Sequence, residues 1–203
     1  MARHPKQERS RLTVDAIVQA GFICVAERGL EHTTTRHIAD TAGLSVGSVY
    51  EYFTNKEAVF QAMTERFSRE VVEMLQPLTQ DIARRPIDQA VHQILSLFGE
   101  FLQRNEQRYL KCARYVMQMD ATGYMEPIVR VLMSIAVQHL MHHPENTRIH
   151  RLPAMSYIFI HGGMYAVVRH LSDPNPPITY EELSEGLSAM VGHYVSRELE
   201  LSR

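Results

Sequence analysis

Apolar residues recur with the period of an α-helix along almost the whole chain. Val14, Ile17, Ala20, Gly21, Cys24 and Val25 fall at i, i+3, i+4 and i+7 spacing, the pattern of one buried helix face. Gly29 follows, the residue type that stops helices in the left-handed conformation. A second stripe runs through Val59, Phe60, Met63, Phe67, Val71 and Met74 and closes at Pro77. A third opens at Pro86, a favoured first-turn residue, and continues through Ile94, Leu95, Phe98, Phe101 and Leu102. The spacing predicts further helices over 107–119, 127–142, 153–171 and 179–201, with the breaker Ser-Asp-Pro-Asn-Pro-Pro between the last two. No alternating strand pattern, internal repeat or low-complexity tract interrupts this. The fold class expected is all-α.

The segment 34–53 carries a more specific pattern. Thr34 is placed to cap a short helix whose apolar side is Ile38, Ala39 and Ala42. Gly43 supplies a positive-φ stop, Leu44 plugs the core, and Ser45 caps the next short helix. Two short helices joined by a tight glycine turn make a helix-turn-helix, whose second helix enters the DNA major groove by its N-terminal end. Here that end is Ser45, Val46, Gly47 and Ser48, small enough for close approach to bases and phosphates. Arg36 and Val46 are the candidates for base contacts, to a guanine edge and a thymine methyl. The same string contains Gly43-x-Ser45-x-Gly47, formally a hydrolase nucleophile elbow, but that elbow needs a preceding strand and none is visible. His37 stands where a capping box on Thr34 would carry an acid or amide, which leaves its role open.

The positions Gly29…Thr34-Thr35…Ile38-Ala39…Ala42-Gly43-Leu44-Ser45-x-Gly47-Ser48-x-Tyr50-x-Tyr52-Phe53-x-x-Lys56-Glu57 resemble the DNA-binding domain of the TetR family of transcriptional repressors. The resemblance covers about the first third of the chain. It implies an N-terminal three-helix reader, over 1–56 with its N-terminal arm, followed by a larger helical ligand-binding and dimerisation domain over 57–203. It implies DNA contacts from Thr34, Thr35, Gly47, Ser45 and Ser48, with Tyr50 and Tyr52 along the backbone and Lys56 on a phosphate. The partners it implies are palindromic double-stranded operator DNA, a small-molecule effector that releases it, and a second copy of the chain.

Composition changes this picture only locally. The net charge is −2, yet the first eleven residues hold Arg3, Lys6, Arg9 and Arg11 against Glu8 alone, a basic end suited to a polyanion. Two cysteines, Cys24 and Cys112, make no disulfide framework. With no apolar run of membrane-spanning length and no signal-peptide pattern, a cytoplasmic protein without membrane partners is expected.

The second half is rich in methionine, tyrosine and histidine. One account is an adaptable helical core; the other is a ligand cavity. The candidates for its wall are Phe98, Tyr115, Met119, Tyr157 and Tyr165, with Cys112, Arg114 and His161 as polar contacts. Glycines Gly162 and Gly163 fall mid-helix, and Gly186 flanks the stripe that includes Leu187, Met190 and Tyr194. Close helix approach across a dimer explains both sets, and internal packing competes with it. His139 and His143 are four apart, a metal-pair spacing without an H-E-x-x-H motif. The reading expected is a regulator that is not an enzyme and carries no cofactor or metal. The alternative is an all-α metal-binding protein or enzyme that uses the histidine-rich half.

Overall fold

A computed structural model describes residues 5–113, 115 and 122–202, with side chains from residue 8 onward except at 105, 106, 113 and 122–124. Every regular element among the described residues is a helix: α1 (Pro5–Arg28), α2 (Thr35–Ala42), α3 (Val46–Tyr50), α4 (Lys56–Leu75), α5 (Thr79–Ala83), α6 (Ile87–Ala113), α7 (Thr122–His142), α8 (Leu152–Ser172) and α9 (Tyr180–Leu201). Single 3-10 turns lie at Gln76–Leu78 and Pro144–Arg148.

Three boundaries differ from expectation. The basic N-terminal segment is helical from Pro5, so Arg9 and Arg11 belong to α1, with Arg11 reaching Asp15 at 3.9 Å. Of the stretch expected over 107–119, residues 107–113 are instead the end of α6, because no glycine or proline separates them from Leu102; residues 114 and 116–119 lie outside the described residues. Within α6 Gln107 takes φ 58°. Pro127 lies inside α7 rather than opening it. Its missing N–H costs only a bond to the second residue of that helix.

One buried core runs from α1 into α7. Ile17, Cys24 and Val25 of α1 meet Ile38 and Ala39 of α2, Val49 of α3, and Val59 and Met63 of α4, all buried. The same cluster continues through Val71, Leu75, Phe101, Leu102, Ile128 and Ile135 into the body. Helix α1 packs on α2, α4 and α6, while α4 also packs on α7. In the body α6 and α9 form the most extensive pair. They run antiparallel and interlock: a Cβ at Gly99 of α6 would stand 2.8 Å from the Tyr180 ring, and one at Gly192 of α9 would stand 2.9 Å from Asp88 Cβ. Tyr180 Oη donates to the Leu95 carbonyl at 2.9 Å. Gly192, one of the small residues flanking the final helix's apolar stripe, therefore serves internal packing.

Candidate nucleic-acid interface and body cavity

The geometry of 34–50 follows from side chains bonding to nearby backbone. Thr34 is extended (φ −119°, ψ 159°), and its hydroxyl accepts from the His37 N–H at 3.2 Å. At the other end Gly43 takes φ 68°, where a Cβ would be strained. That turn lets the Gly43 N–H reach Asp40 O at 3.2 Å and the Leu44 N–H reach Ala39 O at 2.9 Å. Ser45 then caps α3, its Oγ accepting from the Ser48 N–H at 3.0 Å. Ile38, Ala39 and Val49 are fully buried, so one face of both helices is fixed against the core and the other is turned outward.

The outward face carries Thr34, Arg36, Ser45, Gly47, Tyr50 and Tyr52, all exposed. Thr35 and Ser48 are half-buried, and Ser48 Oγ lies 2.9 Å from Ser45 Oγ. Two of the expected contact residues are also engaged inside the protein. Val46 is half-buried and packs against the core, so its methyls are only partly free for a base. Lys56 is not a free cation: its Nζ donates to the Thr33 carbonyl at 3.2 Å and lies 5.9 Å from the Phe60 ring centre. It ties the start of α4 to the loop before α2. His37 Nδ1 is buried without a hydrogen-bond partner. The face therefore offers hydroxyls and one exposed guanidinium, groups that hydrogen-bond phosphate oxygens and base edges.

Behind this unit α6 holds both α4 and α1. Tyr109 Oη donates to Glu70 Oε2 at 2.6 Å, and Arg66 Nε donates to the other oxygen of that carboxylate at 2.8 Å. Burial, the hydrogen bond to Glu70 and its charge push the Tyr109 hydroxyl well above its usual range. Cys112 Sγ–H points at the Phe22 carbonyl of α1 at 3.6 Å, and burial pushes that thiol up to about 12. Aromatic rings stack from Phe98 to Phe101 (6.4 Å) and Tyr109 (5.1 Å), then edge-on to Phe22 (5.0 Å).

The body holds a partly open cavity of about 240 Å³ between α4, α6, α7, α8 and α9. Its wall is almost entirely aliphatic and thioether, including Val91, Ile94, Leu132, Met155 and Met164. Polar groups reach it from Asn146, His139, Ser156 and Tyr194. His139 Nδ1 lies 3.2 Å from the Ala83 carbonyl, which accepts only, so Nδ1 carries the proton. His139 Nε2 then accepts from Asn146 Nδ2 at 3.1 Å. Burial first, then His143 close by, lowers the His139 pKa and favours this neutral form. His143 Nε2 donates to the Arg84 carbonyl at 3.2 Å. The metal-pair spacing is thus used for hydrogen bonds, and no group of three or more His, Cys, Asp or Glu among the described residues is arranged to hold a metal ion.

Of the residues expected on the cavity wall, Phe98 lies there. Cys112 and Tyr115 sit instead at the junction with α1, where the Tyr115 hydroxyl occupies the space a Cβ on Gly29 would take, 2.9 Å away. Tyr157 and Tyr165 are 60% and 61% exposed on α8. His161 stacks on Tyr157 at 4.1 Å, away from the cavity. Arg114 and Met119 lie outside the described residues. Of the residues expected at a dimer face, Gly163, Leu187, Met190 and Tyr194 line the cavity, while Gly162 and Gly186 are exposed. Asn146 was missed as a wall residue, since its sequence neighbourhood reads only as a helix end. The wall of α8 was legible in its nearly all-round apolarity.

The model of bacterial regulatory proteins of the tetR family matches residues 17–63, the span from α1 to α4 that builds the exposed face. Over 116 residues the chain is 34% identical to the HTH-type transcriptional repressor KstR2 of Mycolicibacterium smegmatis, covering 57% of this chain and 52% of that protein. It thus spans about half the length of the curated relatives it matches. The fold aligns with the fatty acid degradation regulator FadR of Bacillus halodurans at TM-score 0.69 and 14% identity, over 94% of this chain and 96% of that one. It aligns also with SmeT, the repressor of the Stenotrophomonas maltophilia multidrug efflux pump SmeDEF, at 0.64 and 16%, over 88% and 89%. Residues 17–63, built by their own caps, are thus matched by the model of the tetR family of bacterial regulatory proteins, and they continue in a helical body whose fold is that of solved regulators.

Proposed function

We propose that the chain is a homodimeric repressor that binds palindromic operator DNA through α3 and releases it when a small, mostly apolar molecule fills the body cavity. One observation carries this reading: a single helix, α6, walls the cavity with Ile94 and Phe98 and three turns later holds α1 through Tyr109 and Cys112. A ligand that displaces the first half of α6 has a packed route to the reader. Arg36, Ser45, Ser48, Tyr50 and Tyr52 contact DNA, and the boundary between reader and body falls near Lys56. The exposed apolar side chains Tyr157, Ile158 and Tyr165 on α8, beside the bare surface at Gly162, supply a face for a second copy. The named roles of KstR2 and SmeT as repressors agree with this reading.

The test is a mobility shift on DNA from upstream of the chain's own gene. The expected result is a dimer on half-sites about one helical turn or a multiple apart. Arg36→Ala relaxes preference at one base pair by ~1–3 kcal/mol. Equal affinity for one isolated half-site, or a monomer at working concentration, overturns the reading.

A further inference from the structure

The cavity has a chemistry of its own, set by what its wall lacks. None of its described lining residues is Asp, Glu, Lys or Arg. Its most deeply buried polar pair is His139 and Asn146, 4% and 5% exposed. Both ring nitrogens of His139 are used, Nδ1–H on the Ala83 carbonyl and Nε2 on the Asn146 amide. The imidazole is therefore a fixed neutral prop that orients the carboxamide. The bond to His139 is the one hydrogen bond of the Asn146 side chain among the described residues, so Oδ1 and the second Nδ2–H remain to meet a ligand. The carboxylate whose charge acts on His139, Glu145, lies outside against His143 Nδ1 at 3.5 Å and is half exposed. It would repel an anion.

We infer that this cavity selects an uncharged ligand with an apolar body and one hydroxyl or carbonyl, which Asn146 receives. The inference rests on the effector reading above and adds a rule of charge to it. A buried hydroxyl or ketone exchanges one hydrogen bond with water for one with the carboxamide. A buried carboxylate or ammonium would lose its hydration with no opposite charge among the described wall residues. With a liquid water occupying roughly 30 Å³, the cavity suits a molecule on the order of ten non-hydrogen atoms.

Calorimetric titration of the full chain at pH 8 tests this with 1-octanol and, separately, octanoate, equal in chain length and different in charge. The expected result is saturable octanol binding, with octanoate at least tenfold weaker. Octanoate that binds as tightly as octanol overturns the inference. If neither probe binds, the inference and the effector reading fall together. Octanol that binds with the stated preference yet leaves operator affinity unchanged upholds the inference and overturns the release step. Asn146→Leu lowers octanol affinity about tenfold, and unchanged affinity removes Asn146 from the proposal. Should that variant fold poorly, Met164→Trp fills the cavity and leaves the His139–Asn146 pair in place. Octanol binding is then lost, and undiminished binding overturns the location.

Discussion

The reading unit and the body reach their helices by different routes. In the reader the ends of the helices are written by adjacent side chains: Thr34, Ser45 and Asn55 each accept a backbone N–H three residues on, and Gly43 turns the chain between α2 and α3. Helices this short do not hold by propensity alone, so local bonds and a dense core must supply their stability. In the body α9 also carries a capping box, from Thr179 and Glu182, but α8 has no side-chain cap and is apolar nearly all round; its position is decided by neighbours and by the cavity they leave. A reader must present one fixed surface, whereas an adaptable wall of Met, Leu and Ile can close on different shapes.

The sharpest way to break this comparison is to make one substitution in both places. Ile38→Ala removes a fully buried side chain from the reader's core and should cost ~2–5 kcal/mol, with operator binding lost. Ile94→Ala, on the cavity wall, should fall at or below the low end of that range, because one side of the residue already faces space. Equal losses in urea unfolding would dissolve the distinction. Next in size is the bond from α6 to α4: Tyr109→Phe deletes the 2.6 Å bond to Glu70, keeps the ring on Phe22 of α1, and should cost ~1–2 kcal/mol. Unchanged stability in urea unfolding would mean that the ring's packing, and not its hydroxyl, holds this junction.

Ser45→Ala removes the cap of α3 and should cost ~1 kcal/mol. Operator affinity should fall further than that stability loss implies, since the same residue faces outward. An unchanged affinity would mean that α3 is held by packing of Val49 alone. The smallest effect is on pH. The folded His139 pKa lies below its unfolded value near 6.5, so the unfolded chain binds the proton first as pH falls. The contribution is intact above that value and is lost as pH drops through and below it, by a fraction of the ~1.4 kcal/mol per pH unit that one proton allows. His143, His142 and Glu145 are the charged or titratable neighbours, and His139→Gln should flatten the acid limb of a Tm–pH curve.

The reader was legible because its determinants are local: a capping hydroxyl, an apolar pair and a glycine at fixed spacing need no tertiary knowledge. Lys56 shows the edge of that legibility. Its charge was visible, but the Thr33 carbonyl it binds is 23 residues back. In the body, periodicity separated apolar from polar faces without saying what each apolar face meets. Tyr157 and Tyr165, expected inside, are exposed on α8, while Leu187 and Tyr194, expected against a second copy, line the cavity. Helical spacing is identical for either arrangement. Only the crossing of α8 and α9 over α6 decides between them.

The two notches between α6 and α9 have a mechanical consequence. Tyr180 sits in the space left by Gly99, and Asp88 in the space left by Gly192, at stations roughly 16–18 Å apart along each rod at ~1.5 Å per residue. A pair keyed at two points cannot slip by a residue or roll about one contact without driving a side chain into backbone. Any stroke of α6 must carry α9 with it as a single lever. If α9 abuts a second copy, one protomer's stroke is then delivered to its neighbour through bone rather than hinge.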